Sequence, residues 1–522
     1  MSGNEDKEIA KKIHEAVGRG KPSTKALEKI KAEKAEALKI LESDDPLAEI
    51  KKHLDNLVAG EDATKQLLFL LCLSGKISDH KKKQMIELLG EPGGGKTTIA
   101  NAITSLFKTK KVGRFSKRAL DYSDLQGYEI LYLQEIGAMD KEEQGVSTLK
   151  FLSSDDKGYT VEVTVMDPDT KQFTTQTIII PPITVITSTT RTEIDKQFQR
   201  RAWPINVDQS HDQTLRIEKF KIREKEEENL VLLGLAKETK AAKSQRILRY
   251  LVEQIKDVRV FMPFPKNIFD ILEKDKLRVR GDLDKFWTLA YLYNVLIQQK
   301  LLKKEINGKT IICASPSLTA KMFSLTKNPL IVMTLELEGR FINLIEAMNK
   351  LGFNKRGHRI RMEDRDTIKN ELVKVGSTQT IYRYLNDLAK DGLLSKEKNA
   401  VNVYEFVLRD DLNVLLQKKS DIIGKLDNPT EIGLKMVKEA QNYVSWVFGK
   451  RPVDPPSNPL GGIWSLLGDF SKALSNEEKS LSAEIEEKEI EKPDIPIEKP
   501  PVPNLANAPL QEKMDFLLGE LS

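Results

Sequence analysis

Short apolar runs alternate with helical stretches between residues 85 and 208. The apolar runs cover residues 86–89, 129–133, 184–186 and 204–207. This alternation is typical of a parallel β-sheet flanked by helices. Apolar residues first recur at helical spacing near residue 46. The pattern therefore predicts one α/β domain over residues 46–212.

The segments before and after this domain follow other patterns. Residues 1–45 are rich in Lys, Glu and Ala, which predicts a charged, solvent-exposed helical extension with little core of its own. Residues 213–335 are mostly helical in pattern and are predicted to form an α-helical lid and a connector. Residues 336–411 show three helices followed by two short strands. That order predicts a winged-helix domain after the lid.

The C-terminal part of the chain contains two further segments. Residues 412–475 are predicted to be a helical segment with a Pro-rich linker. Residues 477–503 mix Glu, Lys, Ile and Pro without helical or strand period, so residues 476–522 are predicted to form a disordered acidic tail. A short amphipathic helix at residues 510–521 ends the tail, and its apolar face is a candidate docking segment for a partner protein.

The charge of the chain is unevenly distributed. The net charge is +5 over 522 residues, but residues 476–522 hold twelve acidic and five basic side chains, so the rest of the chain carries +12. This excess suits a polyanionic partner and is equally compatible with a solvated surface. Cys72 and Cys313 are far apart in sequence, which excludes a disulfide framework and a zinc ribbon and indicates a reducing, cytoplasmic setting. No apolar run is long enough to span a bilayer.

A glycine-rich loop follows the first apolar run and precedes a predicted helix. Strand, loop and helix in this order form a P-loop, in which backbone N–H groups close on phosphate oxygens. Lys96 is expected to reach the β- and γ-phosphates of ATP, and Thr97 is expected to bind Mg²⁺. The predicted ATP-binding residues are Gly90, Glu91, Pro92, Gly93, Gly94, Gly95, Lys96, Thr97 and Thr98.

Polar residues end the next two apolar runs. Gln134 and Glu135 follow one run, at the place where P-loop ATPases usually have Asp-Glu. Glu135 is the candidate general base, although it could also be an N-terminal charge of the following helix. Gln134 supplies an amide where a metal-binding carboxylate is usual, so Gln134 and Thr97 are the predicted metal residues. After the other run, Thr189 is the candidate sensor of the γ-phosphate, and an ordinary helix-capping hydroxyl is the alternative.

Two pairs of arginines are candidates for contact with the phosphates. Arg200 and Arg201 precede the last apolar run of the α/β domain. In a ring ATPase this position faces the γ-phosphate of the neighbouring subunit, where an arginine stabilises the transition state. Arg280 and its neighbour Arg278 begin a lid helix and are expected to contact nucleotide from the lid side. A solvated pair is the alternative for Arg200 and Arg201.

A β-hairpin is predicted immediately before the sensor strand. Residues 159–166 and residues 173–180 alternate between apolar and polar, and residues 167–172 have turn chemistry. Lys171 stands at the tip of this hairpin. An isolated ribbon with a solvated lysine is the alternative to a functional hairpin.

This order of elements resembles the replicative helicases of the MCM (minichromosome maintenance) type. It is also similar to the superfamily III helicases of viruses and plasmids, and the resemblance covers residues 46–411. The resemblance implies an AAA+ fold: an α/β P-loop ATPase core with a β-hairpin before the sensor strand, an α-helical lid and a C-terminal winged-helix domain. The sequence departs from the family in three ways. It has Gln134 and Thr189 at two site positions, and it lacks the large N-terminal region of cellular MCM proteins. They suggest a reduced helicase of a virus or mobile element.

The resemblance also implies how such a protein works. Six subunits form a ring, ATP binds between neighbours, and the hairpins grip single-stranded DNA in the central channel. Lys96, Thr97 and Glu135 would act within one subunit, an arginine of residues 200–201 would act on the neighbour, and Lys171 would contact DNA. The terminal helix of the tail would then dock a replication partner.

The third helix of the predicted winged helix offers a second DNA contact. Gln379 and Arg383 fall on its polar face, whereas Tyr384 and Leu385 fall on its apolar face. Winged helices also serve as protein-docking modules, and that alternative stays open. The sequence thus predicts an ATP-dependent DNA helicase or translocase, with an ATP-switched origin-binding initiator or helicase loader as the alternative. A remodelling ATPase that does not act on DNA is a third hypothesis.

Overall fold

A parallel five-stranded sheet lies at the centre of the chain. The computed structural model describes residues 24–91, 93–113, 124–134, 159–166, 172–189, 200–272, 278–337, 339–372, 378–400, 402–450 and 461–490. The sheet contains β1 (Met85–Leu89), β2 (Thr109–Val112), β3 (Ile130–Leu133), β6 (Thr184–Thr189) and β7 (Ala202–Asn206). Their order is β2-β3-β6-β1-β7, and every neighbouring pair is parallel. The carboxyl ends of all five strands therefore meet at one edge.

The apolar runs of the sequence account for four of these strands. All five residues of β1 are buried, as expected for a central strand covered by helices on both faces. The structure thus confirms the predicted α/β class with a central parallel sheet. Strand β2 was not predicted, because its residues are mainly polar and it lies at the edge of the sheet with partly exposed side chains.

The predicted hairpin is present with the predicted arms. It consists of β4 (Tyr159–Met166) and β5 (Phe173–Ile180), which pair antiparallel from Tyr159 opposite Ile180 to Met166 opposite Phe173. Phe173 is 75% exposed and Ile179 is 62% exposed. The hairpin runs directly into β6, which neighbours β1 in the sheet. Lys171 lies outside the described residues.

Four helices surround the first strands. They are α1 (Thr24–Glu42), α2 (Pro46–Leu54), α3 (Asp62–Cys72) and α4 (Lys96–Thr104). Helix α2 begins at Pro46, and the Asp45 side chain accepts a hydrogen bond from the Ala48 N–H at 3.0 Å, which caps the helix. In α3, residues 67–72 are all buried and form part of the main core.

The lid segment is helical but includes a small sheet. Its helices are α5 (His211–Leu232), α6 (Lys240–Gln254), α7 (Pro265–Phe269), α8 (Val279–Leu296), α9 (Pro316–Met322) and α10 (Lys327–Leu335). Strands β8 (Arg259–Phe261), β9 (Lys303–Ile306) and β10 (Lys309–Cys313) form a second sheet in the order β8-β10-β9. These strands are three to five residues long, too short for a clear period in the sequence.

Helix α1 packs on α6 through a few buried side chains. Ala37, Ile40 and Leu41 are buried, and Arg246 of α6 donates two hydrogen bonds to Glu33 at 2.7 and 3.1 Å. Glu33 is buried although it is charged, since the arginine satisfies its carboxylate. The C-terminal half of the predicted extension is thus joined to the core, and residues 1–23 lie outside the described residues.

Residues 336–411 contain three helices and a three-stranded antiparallel sheet. The helices are α11 (Gly339–Lys350), α12 (Asp364–Glu371) and α13 (Thr378–Lys390), and the strands are β11 (Arg359–Ile360), β12 (Leu394–Lys398) and β13 (Tyr404–Leu408). The sheet order is β11-β13-β12. We call this part the C-terminal unit. The three helices are those predicted. The two strands were expected at residues 401–408, where β13 lies, whereas β12 begins earlier in the chain and β11 is additional.

The described residues after the C-terminal unit form the helices α14 (Leu412–Leu426), α15 (Pro429–Gly449) and α16 (Gly461–Ile490). The prediction of a disordered tail from residue 476 is wrong for residues 476–490, which belong to α16. This part is ordered by tertiary contacts, because Leu481 is buried and Glu477 and Glu484 accept hydrogen bonds from Ser317 N–H at 3.0 Å and the Thr430 hydroxyl at 3.2 Å. Residues 491–522 lie outside the described residues. In the part of the chain that is described, no helix has the length and apolarity needed to cross a membrane.

Candidate nucleotide site

The P-loop lies at the carboxyl end of β1, between that strand and α4. Gly93 and Gly95 have φ angles of 78° and 89°, in the left-handed region where a side chain would be strained. Gly95 is the residue that immediately precedes α4. The N-terminal N–H groups of α4 are therefore directed toward the loop, as an anion-binding helix terminus requires.

The side chain of Lys96 folds back onto this loop. Its ammonium donates hydrogen bonds to the carbonyl oxygens of Gly90 at 2.6 Å and Glu91 at 2.8 Å. The side chain is largely buried, and this burial lowers the pKa of Lys96. Glycine backbone, helix terminus and lysine thus form a cradle whose donors fit the phosphates of ATP. Pro92 lies outside the described residues.

The ends of β3 and β6 lie beside the P-loop. The Ser188 hydroxyl donates a hydrogen bond to the Gln134 carbonyl, and Gln134 N–H donates to the Val112 carbonyl at 3.0 Å. The Gln134 side-chain oxygen lies toward β2, since a β-carbon placed on Gly113 would be 3.5 Å from it. Thr189 pairs with Leu89, directly before the P-loop, so its backbone lies where a sensor is expected.

A magnesium ion fits the oxygen donors at this edge. Thr97 is exposed in the first turn of α4, so its hydroxyl is accessible to a metal bound to phosphate oxygens. Gln134 carries an amide whose oxygen lies toward β2, on the side of β3 away from β1. Glu135 lies outside the described residues, as does the side chain of Thr189. Whether Glu135 acts as the general base therefore stays a prediction.

Tyr132 is a candidate site residue that the sequence analysis missed. It lies on β3 with no exposed surface, and its hydroxyl lies close to the hydroxyls of Thr97 and Ser188. Burial raises the pKa of Tyr132, and the hydroxyls of Thr97 and Ser188 close to it partly offset this. A phenol hydroxyl between the start of α4 and the end of β6 can hydrogen-bond a metal-bound water. Gln134, which lies just after the end of β3, carries no charge that could bind the metal.

Tyr132→Phe is expected to raise the Mg²⁺ concentration for half-maximal ATPase activity by about fivefold, because a hydrogen bond of about 1 kcal/mol is lost. The measurement is ATP hydrolysis against Mg²⁺ at saturating ATP. Tyr128→Phe is the control, since Tyr128 is 41% exposed. Unchanged Mg²⁺ dependence in a stably folded Tyr132→Phe variant would remove Tyr132 from the site.

The arginines predicted to contact phosphates lie near the amino ends of the strands, whereas the P-loop lies at their carboxyl ends. Arg200 precedes β7, and its carbonyl accepts a hydrogen bond from Lys285 of α8 at 2.6 Å. A β-carbon on Gly281 would lie 4.0 Å from the same carbonyl, which places Arg280 beside Arg200. Arg200, Arg201 and Arg280 are exposed, and we call them the basic edge.

Arg280 lies away from the phosphate cradle of its own chain. Ala202, the first residue of β7, pairs with Met85, the first residue of β1, whereas the P-loop follows the last residue of β1. Strands of this length separate the two edges by roughly 13 Å. The neighbouring Arg278 is also directed elsewhere, because its guanidinium donates to Asp282 at 2.9 Å.

A cleft of about 1380 Å³ separates the P-loop from the C-terminal unit. Gly90, Glu91 and Gly94 line one side, and residues of α10, α11 and α13 line the other. The segment that follows β7, from Val207 to Thr214, also lines it. The cleft opens on the phosphate cradle and is large enough for a nucleotide.

The predicted DNA-binding residues of α13 share one concave surface. Gln379 and Arg383 line a depression of about 400 Å³ together with Tyr382 and Asn386. Lys396 of β12 donates hydrogen bonds to Tyr382 and Asn386, both at 2.9 Å. These donors, with an aromatic ring among them, suit the phosphates and bases of a nucleic acid.

The chain was compared with known proteins. No family model and no curated protein matches it. Among solved structures, a full-length MCM homolog from Methanopyrus kandleri is similar at 14% identity and a TM-score of 0.32, over 53% of this chain and 58% of that one. A JCV helicase is similar at 15% identity and 0.22, over 52% and 64%. The Drosophila ORC bound to DNA is similar at 11% identity and 0.20, over 71% and 90%. At these scores the similarities decide nothing about function.

Proposed function

We propose that the chain is an ATP-dependent DNA helicase or translocase that forms a homo-hexameric ring. The observation that carries the proposal is the position of the hairpin. Strands β4 and β5 lead directly into β6, and β6 neighbours the strand that bears the P-loop. A shift of β6 on nucleotide binding or hydrolysis would therefore move the hairpin.

In this proposal each part of the site has one role. The P-loop backbone and Lys96 hold the triphosphate, and Thr97 and Gln134 would hold Mg²⁺, which supplies charge neutralisation at the phosphates when bound. Glu135 takes the proton of the attacking water. The exposed basic edge reaches the phosphates of the neighbouring subunit, which explains why it lies far from the P-loop of its own chain.

The parts outside the core have supporting roles. Residues 213–335 act as the lid, and the C-terminal unit acts as a winged helix that contacts duplex DNA through Gln379 and Arg383. Single-stranded DNA lies in the ring channel, against the hairpins. The exposed Phe173 and Ile179 of each hairpin would pack on bases or on neighbouring hairpins.

Lys171→Ala is expected to abolish unwinding of a forked DNA duplex while ATP binding stays within about twofold of wild type, because only the DNA grip is lost. The assay is strand separation of a forked duplex with ATP. Gln172→Ala, in the same loop, is the matched control, and Lys96→Ala shows that unwinding needs ATP. Normal unwinding by the Lys171→Ala protein would reject the channel grip.

An ATP-switched initiator or helicase loader is the second candidate function. The concave surface of α13 favours it, because that surface could bind duplex DNA without any translocation. In this case the wild-type protein would show ATP-dependent DNA binding but no strand separation. DNA binding should then be lost in an Arg383→Ala variant and be unaffected in a Lys171→Ala variant.

A further inference from the structure

The C-terminal unit contacts the P-loop directly, through Glu91. Arg340 of α11 donates a hydrogen bond to the Glu91 carboxylate at 3.1 Å, and the Tyr384 hydroxyl of α13 donates to it at 2.7 Å. The guanidinium of Arg383 lies 3.8 Å from the same carboxylate oxygen. One P-loop side chain is thus held by two helices that lie about 250 or more residues away in sequence.

These partners are fixed in place by packing. The ring of Tyr384 is nearly buried and meets Phe341 edge-on with ring centroids 5.8 Å apart. The Arg340 guanidinium lies 4.9 Å from the centroid of Phe341 and 5.4 Å from that of Tyr384. At the start of α11, a β-carbon on Gly339 would lie only 3.1 Å from the side chain of Asn206, at the end of β7. The close approach, the edge-on rings and the guanidinium beside them present both donors to Glu91 at a defined position.

The pKa values of Glu91 and Tyr384 agree with this geometry. Hydrogen bonds from Tyr384 and Arg340 hold the pKa of Glu91 below its ordinary value, against the effect of burial. Burial and the Glu91 carboxylate raise the pKa of Tyr384 to about 12. At neutral pH, Glu91 is therefore ionised and Tyr384 keeps the proton that it donates.

Glu91 also shapes the phosphate cradle through its backbone. Its carbonyl accepts hydrogen bonds from Gly94 N–H at 3.1 Å and from Lys96 at 2.8 Å. We propose that Arg340 and Tyr384 are positioning residues of the nucleotide site, which hold the P-loop in its phosphate-binding conformation and neutralise Glu91. The proposal rests on the proposed function as an ATPase.

Charge determines the direction of the expected effect. A carboxylate beside the phosphate cradle repels a bound triphosphate, and the guanidinium of Arg340 offsets this repulsion. Arg340 and Tyr384 are among the residues that line the cleft between the P-loop and the C-terminal unit. Loss of Arg340 should therefore weaken nucleotide binding.

A double-mutant cycle tests the proposal with a fluorescent ATP analogue, titrated with EDTA present so that no hydrolysis occurs. In the full chain, Arg340→Met should raise Kd by about tenfold, a typical coupling between sites. Made together with Glu91→Gln, the same Arg340→Met change should raise Kd by less than about twofold, because no carboxylate is left uncompensated. Tyr384→Phe keeps the packed ring and should raise Kd by about threefold, since one hydrogen bond is lost.

The control is Arg361→Met, because the Arg361 side chain is 64% exposed and belongs to the same unit. Thermal unfolding confirms that each variant is folded. Wild-type affinity in both Arg340→Met and Tyr384→Phe would overturn the proposal. The proposal would also be overturned if Arg340→Met raised Kd equally whether position 91 carried Glu or Gln, because Arg340 would then bind the nucleotide itself. Failure of the wild-type protein to bind the analogue both in EDTA and in Mg²⁺ would reject the proposed ATPase as well.

Discussion

Lys96→Ala is expected to lower kcat for ATP hydrolysis by about 10²–10³-fold, as the loss of a single preorganised hydrogen-bond donor does at other sites. Among the described P-loop residues, Lys96 is the one whose side chain spans the loop, and its ammonium donates hydrogen bonds to the carbonyl oxygens of Gly90 and Glu91. Burial lowers the pKa of this ammonium from its ordinary value of 10.5.

The measurement is steady-state ATP hydrolysis, with and without single-stranded DNA. Lys52→Ala is the matched control, since Lys52 is an exposed lysine of α2 that pairs with Glu49. The stimulation by DNA should disappear together with the basal rate. Hydrolysis by Lys96→Ala at the rate of the control would show that the P-loop is not the catalytic nucleotide site.

Local sequence determines the features that were predicted correctly. The P-loop is encoded by consecutive residues whose glycines adopt left-handed φ angles, so no distant contact is needed to recognise it. The hairpin is equally local, because alternation and turn residues set both its arms and its register. Four core strands are continuous apolar runs, as buried parallel strands are.

Long-range contacts determine the features that were missed. Glu91 and Arg340 are 249 residues apart, and Glu33 and Arg246 are 213 residues apart, so neither pair leaves a pattern in the sequence. Residues 476–490 have a weak helical period and are ordered by contacts with other helices. The position of Arg280 beside Arg200 could not be predicted either, because it depends on how α8 packs against the start of β7.

The basic edge explains how a ring would complete the site. Arg200, Arg201 and Arg280 are exposed, and the strand separation keeps them from the P-loop of their own chain. In a ring with head-to-tail contacts, one edge of each subunit meets the opposite edge of the next. A guanidinium carried on this edge can then reach the transferred phosphate of the neighbour, where it stabilises the developing charge.

Arg200→Ala and Arg201→Ala are therefore expected to have different effects on kcat. The variant that lacks the arginine acting on the neighbour should have a kcat lower by about 10³-fold or more. Arg280→Ala is the third variant to be measured, and Arg249→Ala is the control, because Arg249 is exposed and donates to the Ser105 carbonyl of its own chain. ATP binding by the inactive variant should remain close to wild type, since its own cradle is intact.

Mixing subunits tests whether the arginine acts between neighbours. An equal mixture of the inactive arginine variant and Lys96→Ala places an intact P-loop against an intact arginine at about one quarter of the head-to-tail interfaces, if subunits assemble at random. ATPase activity of the mixture should then rise well above that of either variant alone, up to about that fraction of wild type if each site works independently. A mixture no more active than its two components, in rings shown to exchange subunits, would contradict independent sites completed in trans.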